Sequence, residues 1–452
     1  MRMDVWMEGR DAPVGLLARS EDKSLSFVYA DDIGPEHRIS MSLPITSESY
    51  GDADCRGYFA NLLFEGPQLE RVLDGFGLDR GDIGALLWHL GADCPGAISV
   101  TPEGTGPGKM PGRFPVDYER LSDARLNQIV LSLHQHRRMP EGERNPSPVA
   151  GVQGKIACLG LEGAVWLPKD GSRAPTTHIL KVSPNFDPDI TRQETALLQI
   201  AAEIGIDAAE TRDLVFDVEG MHINALLSPR FDRDLEIADG AGIIRRRHAE
   251  DFCQALGLPP SLKYERDAVE PHRRFSAAAV DVIAAQTTVP ALVRRDFLAQ
   301  TVFNLLVGNT DNHGKNTSLL YRGRTVVLAP LYDVVPVFMD RRVTHEFAFK
   351  HGDARFAEDF NVDALRGLLF DLGFGKPPVG RTMKQIRQVA KRISGLSARR
   401  ASKGLADALH AQAHVVERAL GVDFGLEARD YYDRAVRDDD PRAAGGWGAF
   451  SG

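Results

Sequence analysis

The sequence predicts an α+β fold with two lobes, and three observations carry this prediction. Short β-rich runs recur through the first half of the chain, and the second half is mainly helical. Within the second half lies a polar stretch, residues 309–333, in which two β-rich runs flank an Arg322-Gly323 turn and predict a hairpin. A chain of 452 residues is long enough for two or three domains with substantial cores.

The polar stretch has the layout of a phosphoryl-transfer site. Asp311 stands five residues before Asn316, the hairpin follows, and Asp333 comes just after Pro330, which stops the strand. Asp-x-x-x-x-Asn, hairpin and Asp is the order of a kinase catalytic loop and its metal-binding Asp. In that layout Asp311 is the base, and Asn316 and Asp333 supply the hard oxygen ligands that Mg²⁺ prefers. On this stretch alone, simple capping of a polar loop by Asp311 and Asn316 is an equally good interpretation.

Residues 1–105 are predicted to form a compact α/β unit. Residues 3–7 and 24–29 alternate like strands, and residues 81–90 have the pattern of a helix. The unit contains no evident chemical constellation, so packing or partner docking is its expected role. Pro and Gly are dense in residues 101–113, which predicts a domain boundary there.

A glycine turn follows a predicted helix (121–136) and a polar loop (137–148). Gly151 and Gly154 precede Lys155, and glycine allows backbone N–H groups to approach an anion, so a phosphate-cradling turn is one interpretation. Val149 and Ile156 depart from the Walker A pattern. A glycine turn in an ordinary hairpin is the alternative.

Two charged residues extend the phosphoryl-transfer pattern. Lys181 ends a predicted strand (177–182), and Glu194 lies on the next predicted helix (187–204), where it could pair with that lysine. A single strand lysine usually extends to solvent. However, a glycine turn, strand lysine, helix glutamate, catalytic loop and metal-binding Asp in this order rarely arise by chance. The apolar run 223–227, with the polar connector after it, is the expected place for an adenine-binding hinge or an ordinary strand–loop junction.

Eight short segments occur in this order along the chain: YFANLL (58–63), DCPGA (93–97), AGVQ (150–153), ILK (179–181), RFDR (230–233), HAEDFCQALG (248–257), NTDNHGKN (309–316) and YD (332–333). Together they give the chain a specific resemblance to the HipA family of bacterial toxin kinases. It implies a small N-terminal α/β subdomain fused to a two-lobed protein-kinase-like fold related to phosphoinositide kinases. The implied regions are 1–105 (N-terminal subdomain), 114–235 (N-lobe) and 236–437 (mainly helical C-lobe), and the composition of residues 438–452 predicts a disordered tail.

The resemblance also implies ATP and Mg²⁺ as cofactors and serine/threonine protein phosphorylation as the activity. Its implied partners are a protein substrate such as an aminoacyl-tRNA synthetase, a HipB-like helix-turn-helix antitoxin and, mainly through that antitoxin, operator DNA. The implied nucleotide-binding residues are Ala150, Gly151, Val152, Gln153, Gly154, Lys155, Lys181, Pro229, Arg230, Phe231, His313, Lys315, Asn316, Tyr332 and Asp333.

Two departures from the family pattern affect the glycine turn. Members usually carry an autophosphorylated Ser three residues before the first loop glycine, but Pro148 holds that position here and Ser147 precedes it. Ser147 is therefore the candidate for autophosphorylation. Gly154 stands where many relatives carry Glu or Pro, which is expected to loosen the loop.

A basic stretch near the C-terminus offers a possible DNA contact. Arg381 and Lys384 begin a run of basic residues that reaches Lys403 without an acidic residue between them, and apolar positions such as Ile386 give the predicted helix a buried face. Such a stripe can contact DNA phosphates, although a solvated helix face is the commoner explanation.

Composition limits the remaining possibilities. A net charge of −9 argues against nucleic-acid binding by the whole molecule, and four scattered cysteines argue against zinc and disulfide frameworks. The start lacks a signal-peptide core and no apolar run is long enough for a membrane span, so a cytoplasmic protein without membrane partners is expected. A weakly active or inactive corepressor and a small-molecule kinase remain alternative functions.

Overall fold

The fold is described from a computed structural model, for residues 1–64, 67–143, 153–270 and 272–428. The strands are β1 (Arg2–Met7), β2 (Gly15–Arg19), β3 (Leu25–Tyr29), β4 (Ile98–Pro102), β5 (Gly112–Phe114), β6 (Tyr118–Arg120), β7 (Lys155–Leu161), β8 (Ala164–Pro168), β9 (His178–Val182), β10 (Arg212–Val218), β11 (Met221–Pro229), β12 (Arg233–Ala238), β13 (Ala241–Arg246), β14 (Ala249–Asp251), β15 (Ser318–Arg322) and β16 (Thr325–Leu328). The α-helices are α1 (Asp52–Phe59), α2 (Pro67–Phe76), α3 (Ile83–Leu90), α4 (Asp123–His136), α5 (Ile190–Glu203), α6 (Phe252–Ala255), α7 (Ala277–Ala285), α8 (Pro290–Val307), α9 (Val362–Asp371), α10 (Val379–Arg400) and α11 (Lys403–Leu420).

The N-terminal subdomain is an antiparallel sheet, in the order β3-β2-β1-β4, covered by helices. Alternate residues of β3 are buried, which is the period-2 pattern of a strand with one face on a core. That core includes Phe27, Tyr58 and Phe59, whose rings pack at centroid distances of 5.1–5.4 Å. Helix α3 begins where the Asp82 side chain accepts a hydrogen bond from the Ala85 N–H.

The N-lobe is a second antiparallel sheet, in the order β10-β11-β9-β7-β8-β6, with α4 and α5 packed on it. Its central strands bury Ile156, Leu180 and Ala225. The register of β7 with β9 places Lys155 directly opposite Lys181. Both lysines therefore lie beside each other on the same face of the sheet.

The predicted boundaries at residue 235 and at residues 101–113 both meet a small sheet, β12-β13-β5. The predicted end of the N-lobe at residue 235 falls inside β12, because β12 and β13 form a hairpin that pairs back onto β5. The Pro- and Gly-rich stretch 101–113, which was predicted to be a domain boundary, ends in β5. This sheet has a small core of its own, in which Ile244 of the hairpin packs with Phe114 and Tyr118.

In the C-lobe, helices α7 to α11 surround a large apolar core. Helix α8 ends at Gly308, whose left-handed φ of 67° turns the chain into the loop that holds Asp311. The predicted hairpin is β15–β16, but its two-residue turn is Gly323-Arg324, one residue later than predicted, because Arg322 pairs with Thr325. The predicted tail 438–452 lies outside the described residues. Among those that are described, no helix is long and apolar enough to cross a membrane.

Candidate active site

A buried ammonium group joins two carboxylates between the lobes. Lys181 Nζ lies 2.6 Å from Glu194 Oε1 and 2.6 Å from Asp333 Oδ1. Strand β9 supplies the lysine, α5 supplies the glutamate, and the segment after β16 supplies Asp333. Thus the lysine does not extend to solvent, and residues 152 positions apart in the chain meet at one cation.

The buried charges in and beside this cluster shift the pKa values of its members. Burial alone would lower the pKa of Lys181 and raise that of Asp333, but their attraction holds the lysine pKa above and the Asp333 pKa well below the ordinary values. Burial and the neighbouring Lys181 lower the pKa of Lys155 to about 8. Asp333 is consequently a carboxylate, and Lys181 a cation, throughout the physiological pH range.

Asp311 lies in the loop that follows α8, and the loop is held by its own hydrogen bonds. The Asp311 N–H donates to Asn309 Oδ1 at 3.2 Å, and the side-chain amide of Asn316 donates to the Asp311 carbonyl at 2.9 Å. The Asp311 side chain accepts a 2.5 Å hydrogen bond from the hydroxyl of Tyr264. Burial raises the pKa of Asp311 to about 6, although the Tyr264 bond and the Lys263 charge oppose the rise. A carboxyl group with this pKa can take up a proton near neutral pH.

The residues around Asp333 fit a magnesium ion bound largely through phosphate. No cluster of three or more His, Cys, Asp or Glu side chains suited to a metal occurs in the described part of the chain. Mg²⁺ commonly takes only one or two protein ligands and completes its shell with water and substrate phosphates. Asn316 bonds Asp311 through its amide nitrogen, so its amide oxygen and the carboxylate of Asp333 would hold the ion. Asp333 has a left-handed φ of 56°, a backbone conformation that is concentrated at functional sites.

These groups line one cavity of about 480 Å³ between the lobes. Its walls include Asp311, Glu194 and most of the residues predicted to bind nucleotide: Gln153, Lys155, Lys181, Pro229, Arg230, Phe231, His313, Lys315, Asn316, Tyr332 and Asp333. Tyr332 packs against Phe231 at a centroid distance of 5.4 Å, which places two aromatic rings beside the predicted hinge. A cavity with aromatic walls and converging charges suits a nucleotide.

Two predicted nucleotide contacts have other structural roles. The Arg230 guanidinium forms a fork with Asp232, at 3.0 and 2.8 Å, and Asp232 also accepts from the Gly96 N–H at 3.0 Å. Gly154 is not among the cavity walls: its carbonyl accepts from the Val182 N–H, and a Cβ there would lie 2.7 Å from the Leu133 carbonyl oxygen. Gly154 thus permits close packing on α4, and the expected loosening is not seen at this residue.

Several predicted residues cannot be placed. Ala150, Gly151, Val152, Ser147 and Pro148 lie outside the described residues. Their proposed roles in phosphate binding and autophosphorylation remain predictions.

Sequence reasoning missed several contributors to the cavity. Tyr264 bonds Asp311, yet it lies in a short polar segment without periodicity or a recognisable motif. Asn61, Pro95 and Gly96 of the N-terminal subdomain also line the cavity, so the expectation that this unit only packs or docks partners is incomplete. Both N-terminal segments stood within family-like motifs, which was the one available signal.

The basic stretch forms the helix α10. Arg381 and Lys384 are exposed, as a DNA contact would require, whereas Ile386 is buried. Farther along, Arg400 bonds Glu203 at 2.6 Å and Arg392 bonds the Ile204 carbonyl at 2.8 Å. Arg392 and Arg400, in the second half of the stripe, are therefore engaged by the end of α5, and Arg381 and Lys384 remain candidates for a DNA contact.

The strand lysine, helix glutamate, catalytic-loop Asp and second Asp, arranged between two lobes, define a protein-kinase-like fold and site. Comparison with known families is more specific: residues 3–101 match the HipA N-terminal domain and residues 147–401 match the HipA-like C-terminal domain. The chain belongs to the HipA family of toxin kinases.

Individual relatives agree with this assignment. An inferred kinase of Sinorhizobium fredii, Y4mE, is 31% identical over 401 residues, which cover 85% of this chain and 89% of the relative. The serine/threonine-protein kinase toxin HipA of Shewanella oneidensis is 27% identical over 345 residues, 74% of this chain and 75% of that protein. A solved complex of Shewanella oneidensis HipA, HipB and operator DNA contains a chain that matches with a TM-score of 0.74 at 22% identity, covering 93% of this chain and 98% of that one. This similarity confirms the predicted α+β, kinase-like fold.

Proposed function

We propose that this protein is an ATP- and Mg²⁺-dependent serine/threonine protein kinase that acts as the toxin of a toxin–antitoxin pair. The observation that carries the proposal is Lys181 held at 2.6 Å from both Glu194 and Asp333, in the cavity that Asp311 also lines. A lysine paired with a helix glutamate beside a metal-binding Asp is the arrangement that kinases need for transfer. A non-catalytic corepressor has no physical need to bury these charges together.

Asp311 is proposed as the general base. Its Oδ1 accepts from Tyr264, so Oδ2 is the oxygen that takes the proton of the acceptor hydroxyl. The pKa of about 6 keeps Asp311 ionised at neutral pH while leaving it basic enough to accept that proton. Asn316 bonds the Asp311 carbonyl and so fixes the loop between the base and the ion site.

The remaining charged groups of the cavity are proposed to position the phosphates of ATP and to neutralise their charge. ATP would supply the phosphoryl group, and Mg²⁺ held by Asn316 and Asp333 would offset its charge. Lys181 and Lys155, paired across β7 and β9, present two buried ammonium groups to the same cavity. Lys315 adds a third from the catalytic loop. His313 is buried, which holds its pKa well below the ordinary value, so it acts as a neutral group.

The hinge is proposed to bind the purine through the main chain. Pro229 has no N–H, and the Arg230 N–H already donates to the Thr177 carbonyl at 2.8 Å. A purine would therefore use carbonyl groups of this segment and the N–H of Phe231. The aromatic rings of Phe231 and Tyr332 would supply the apolar wall.

The proposed toxin role and the proposed partners are inferred from the relatives. The Shewanella oneidensis relative is named a toxin kinase, and the matching solved structure is a complex with HipB and operator DNA. By analogy, we infer a HipB-like antitoxin, operator DNA bound mainly through it, and a cytoplasmic protein substrate in translation, such as an aminoacyl-tRNA synthetase. The exposed Arg381 and Lys384 could add phosphate contacts in such an assembly.

The decisive experiment compares wild type with Asp311→Asn. The substitution keeps the side-chain shape and removes the base, so phosphate transfer from Mg-ATP to proteins of a cell lysate should fall about 10²–10⁴-fold. Melting temperature should stay close to that of wild type, and any growth arrest on expression should be relieved at equal protein level. Asp363→Asn, at an exposed position of α9, is the matched control and should change neither transfer nor growth. Equal transfer or equal arrest by wild type and Asp311→Asn would refute the proposed role of Asp311.

A further inference from the structure

The N-terminal subdomain reaches directly into the catalytic loop. Asn61 lies in a single 3-10 turn, residues 60–62, at the end of α1, and it is only 3% exposed. The ammonium of Lys315 donates to Asn61 Oδ1 at 3.0 Å and approaches the Asn61 carbonyl oxygen at 3.4 Å. These residues stand 254 positions apart and line the same cavity.

The Asn61 side chain is held rigidly in this position. Its amide nitrogen donates to the Gly57 carbonyl at 2.8 Å and to the Leu258 carbonyl at 2.8 Å. Because both amide hydrogens are used there, the amide oxygen must point to Lys315. The backbones also meet closely, since a Cβ on Gly57 would lie 2.2 Å from the Gly257 carbonyl oxygen. Helix α1 and the chain after α6 therefore form one tight contact.

Asp251 is an acidic neighbour of Lys315. Asp251 Oδ2 lies 3.6 Å from Lys315 Nζ, and Asp251 Oδ1 accepts from the Gln254 N–H as the N-terminal cap of α6. The Asn61 oxygens are nearer than this carboxylate. They hold the ammonium against the subdomain, in the cavity wall.

We propose that Asn61 is a positioning residue of the active site: the N-terminal subdomain uses its side chain to fix the ammonium of Lys315 beside the transferred phosphoryl group. This inference rests on the proposed function for the phosphoryl group and on the observed geometry for the Asn61–Lys315 contact. It makes the subdomain part of the catalytic apparatus, in addition to any docking role.

Asn61→Ala removes the side-chain acceptor while keeping the backbone. A hydrogen bond to a charged group contributes enough free energy that its loss should lower kcat about tenfold. KM for ATP should change less than about threefold, because Lys155, Lys181 and the hinge retain their contacts. Asn61→Asp keeps an acceptor for Lys315 and loses the donors to Gly57 and Leu258. It should recover much of the rate if positioning is the role, and none of it if Asn61 only docks the subdomain.

A measurement independent of turnover follows Lys315 itself. The Lys315 side chain is 7% exposed, so acylation of its amine, measured by peptide mass spectrometry without ATP, should be slow in wild type. Labelling should rise several-fold in Asn61→Ala and much less in Asn61→Asp. Ser42→Ala is the matched control, because the Ser42 hydroxyl donates to the Gln254 carbonyl at 2.6 Å across the same contact without touching Lys315.

The outcomes of these experiments distinguish a positioning role of Asn61 from a merely structural one. Slower transfer and faster Lys315 labelling in Asn61→Ala, both reversed by Asn61→Asp and absent in Ser42→Ala, support the inference. Wild-type rate and labelling in Asn61→Ala overturn it, as does equal loss of rate and melting temperature in Asn61→Ala and Asn61→Asp. Absence of any transfer by wild type would instead refute the proposed function, and with it the phosphoryl part of the inference, while the labelling would still decide the Asn61–Lys315 contact.

Discussion

The hydroxyl of Tyr264 donates a 2.5 Å hydrogen bond to Oδ1 of Asp311. Tyr264 is 6% exposed, and its ring packs edge-on against His313 at a centroid distance of 5.0 Å. The tyrosine therefore orients the proposed base and, because it donates to the carboxylate, favours the ionised form.

Tyr264→Phe should change the pH dependence of transfer. In wild type, kcat/KM should fall as pH drops through about 6, where Asp311 becomes protonated. Removing the hydroxyl withdraws a bond that lowers the Asp311 pKa, so the acid limb should move to higher pH, with little loss of rate at pH 8. Tyr50→Phe, in the N-terminal subdomain, should leave the profile unchanged. An acid limb that stays in place or moves to lower pH would contradict this role of Tyr264.

Lys181→Met should destabilise the fold as well as abolish transfer. The substitution leaves Glu194, which is 2% exposed, and Asp333 without their shared cation. Breaking a buried ion pair typically costs about 3–5 kcal/mol. Urea denaturation measures this loss, and the exposed Lys384→Met is the control.

The stability of Lys181→Met should also depend on pH. Without Lys181, the pKa of Glu194, already raised by burial, should rise further. A carboxyl group whose pKa is raised in the folded state contributes to the stability of the protein at low pH, and this contribution is lost as pH increases. Lys181→Met should therefore be less stable at pH 8 than at pH 6. Adding Glu194→Gln should restore part of the stability, because it removes the unpaired charge. A double variant no more stable than Lys181→Met would argue against this electrostatic account.

Mg-ATP should raise the melting temperature of the purified protein. A ligand that binds only the folded state stabilises it by about 2.7 kcal/mol at a hundredfold excess over Kd. Asp333→Ala should lose most of the Mg²⁺-dependent part of this shift and keep the part seen with ATP and EDTA. An unchanged wild-type melting temperature with saturating Mg-ATP would count heavily against the kinase assignment.

Ser147 is predicted to be slowly autophosphorylated. It lies six residues before Gln153, which lines the cavity, and six residues of extended chain span about 20 Å. A phosphate adds about −1.5 to −2 charge, which would repel a bound triphosphate, so Ser147→Asp should lose activity.

Intact-mass and peptide mass spectrometry after incubation with Mg-ATP measures the modification. Ser147→Ala should remain unmodified, and Ser172→Ala is the control. Phosphate at another residue, or none on a protein that phosphorylates an added target, would show that this chain lacks the switch.

The sequence by itself determined the parts of the site that depend on local spacing. Asp311 and Asn316 share one short loop, and the hairpin carries Asp333 back beside it, so the loop and its chemistry are readable from contiguous residues. The strand that holds Lys181 and the helix that holds Glu194 also follow from short-range hydrophobic periodicity.

Tertiary structure decided which of the open interpretations applies. Lys181 could have extended to solvent, and only the packing of α5 and the Asp333 segment on β9 made it a buried cation. Tyr264 carried no local signal of a role at the site, and Asn61 carried only its place in a family-like motif, because their partners, Asp311 and Lys315, are 47 and 254 residues away. Tertiary structure likewise set the hairpin that contains residue 235, since the pairing of β13 with β5 is a long-range contact that no local pattern encodes.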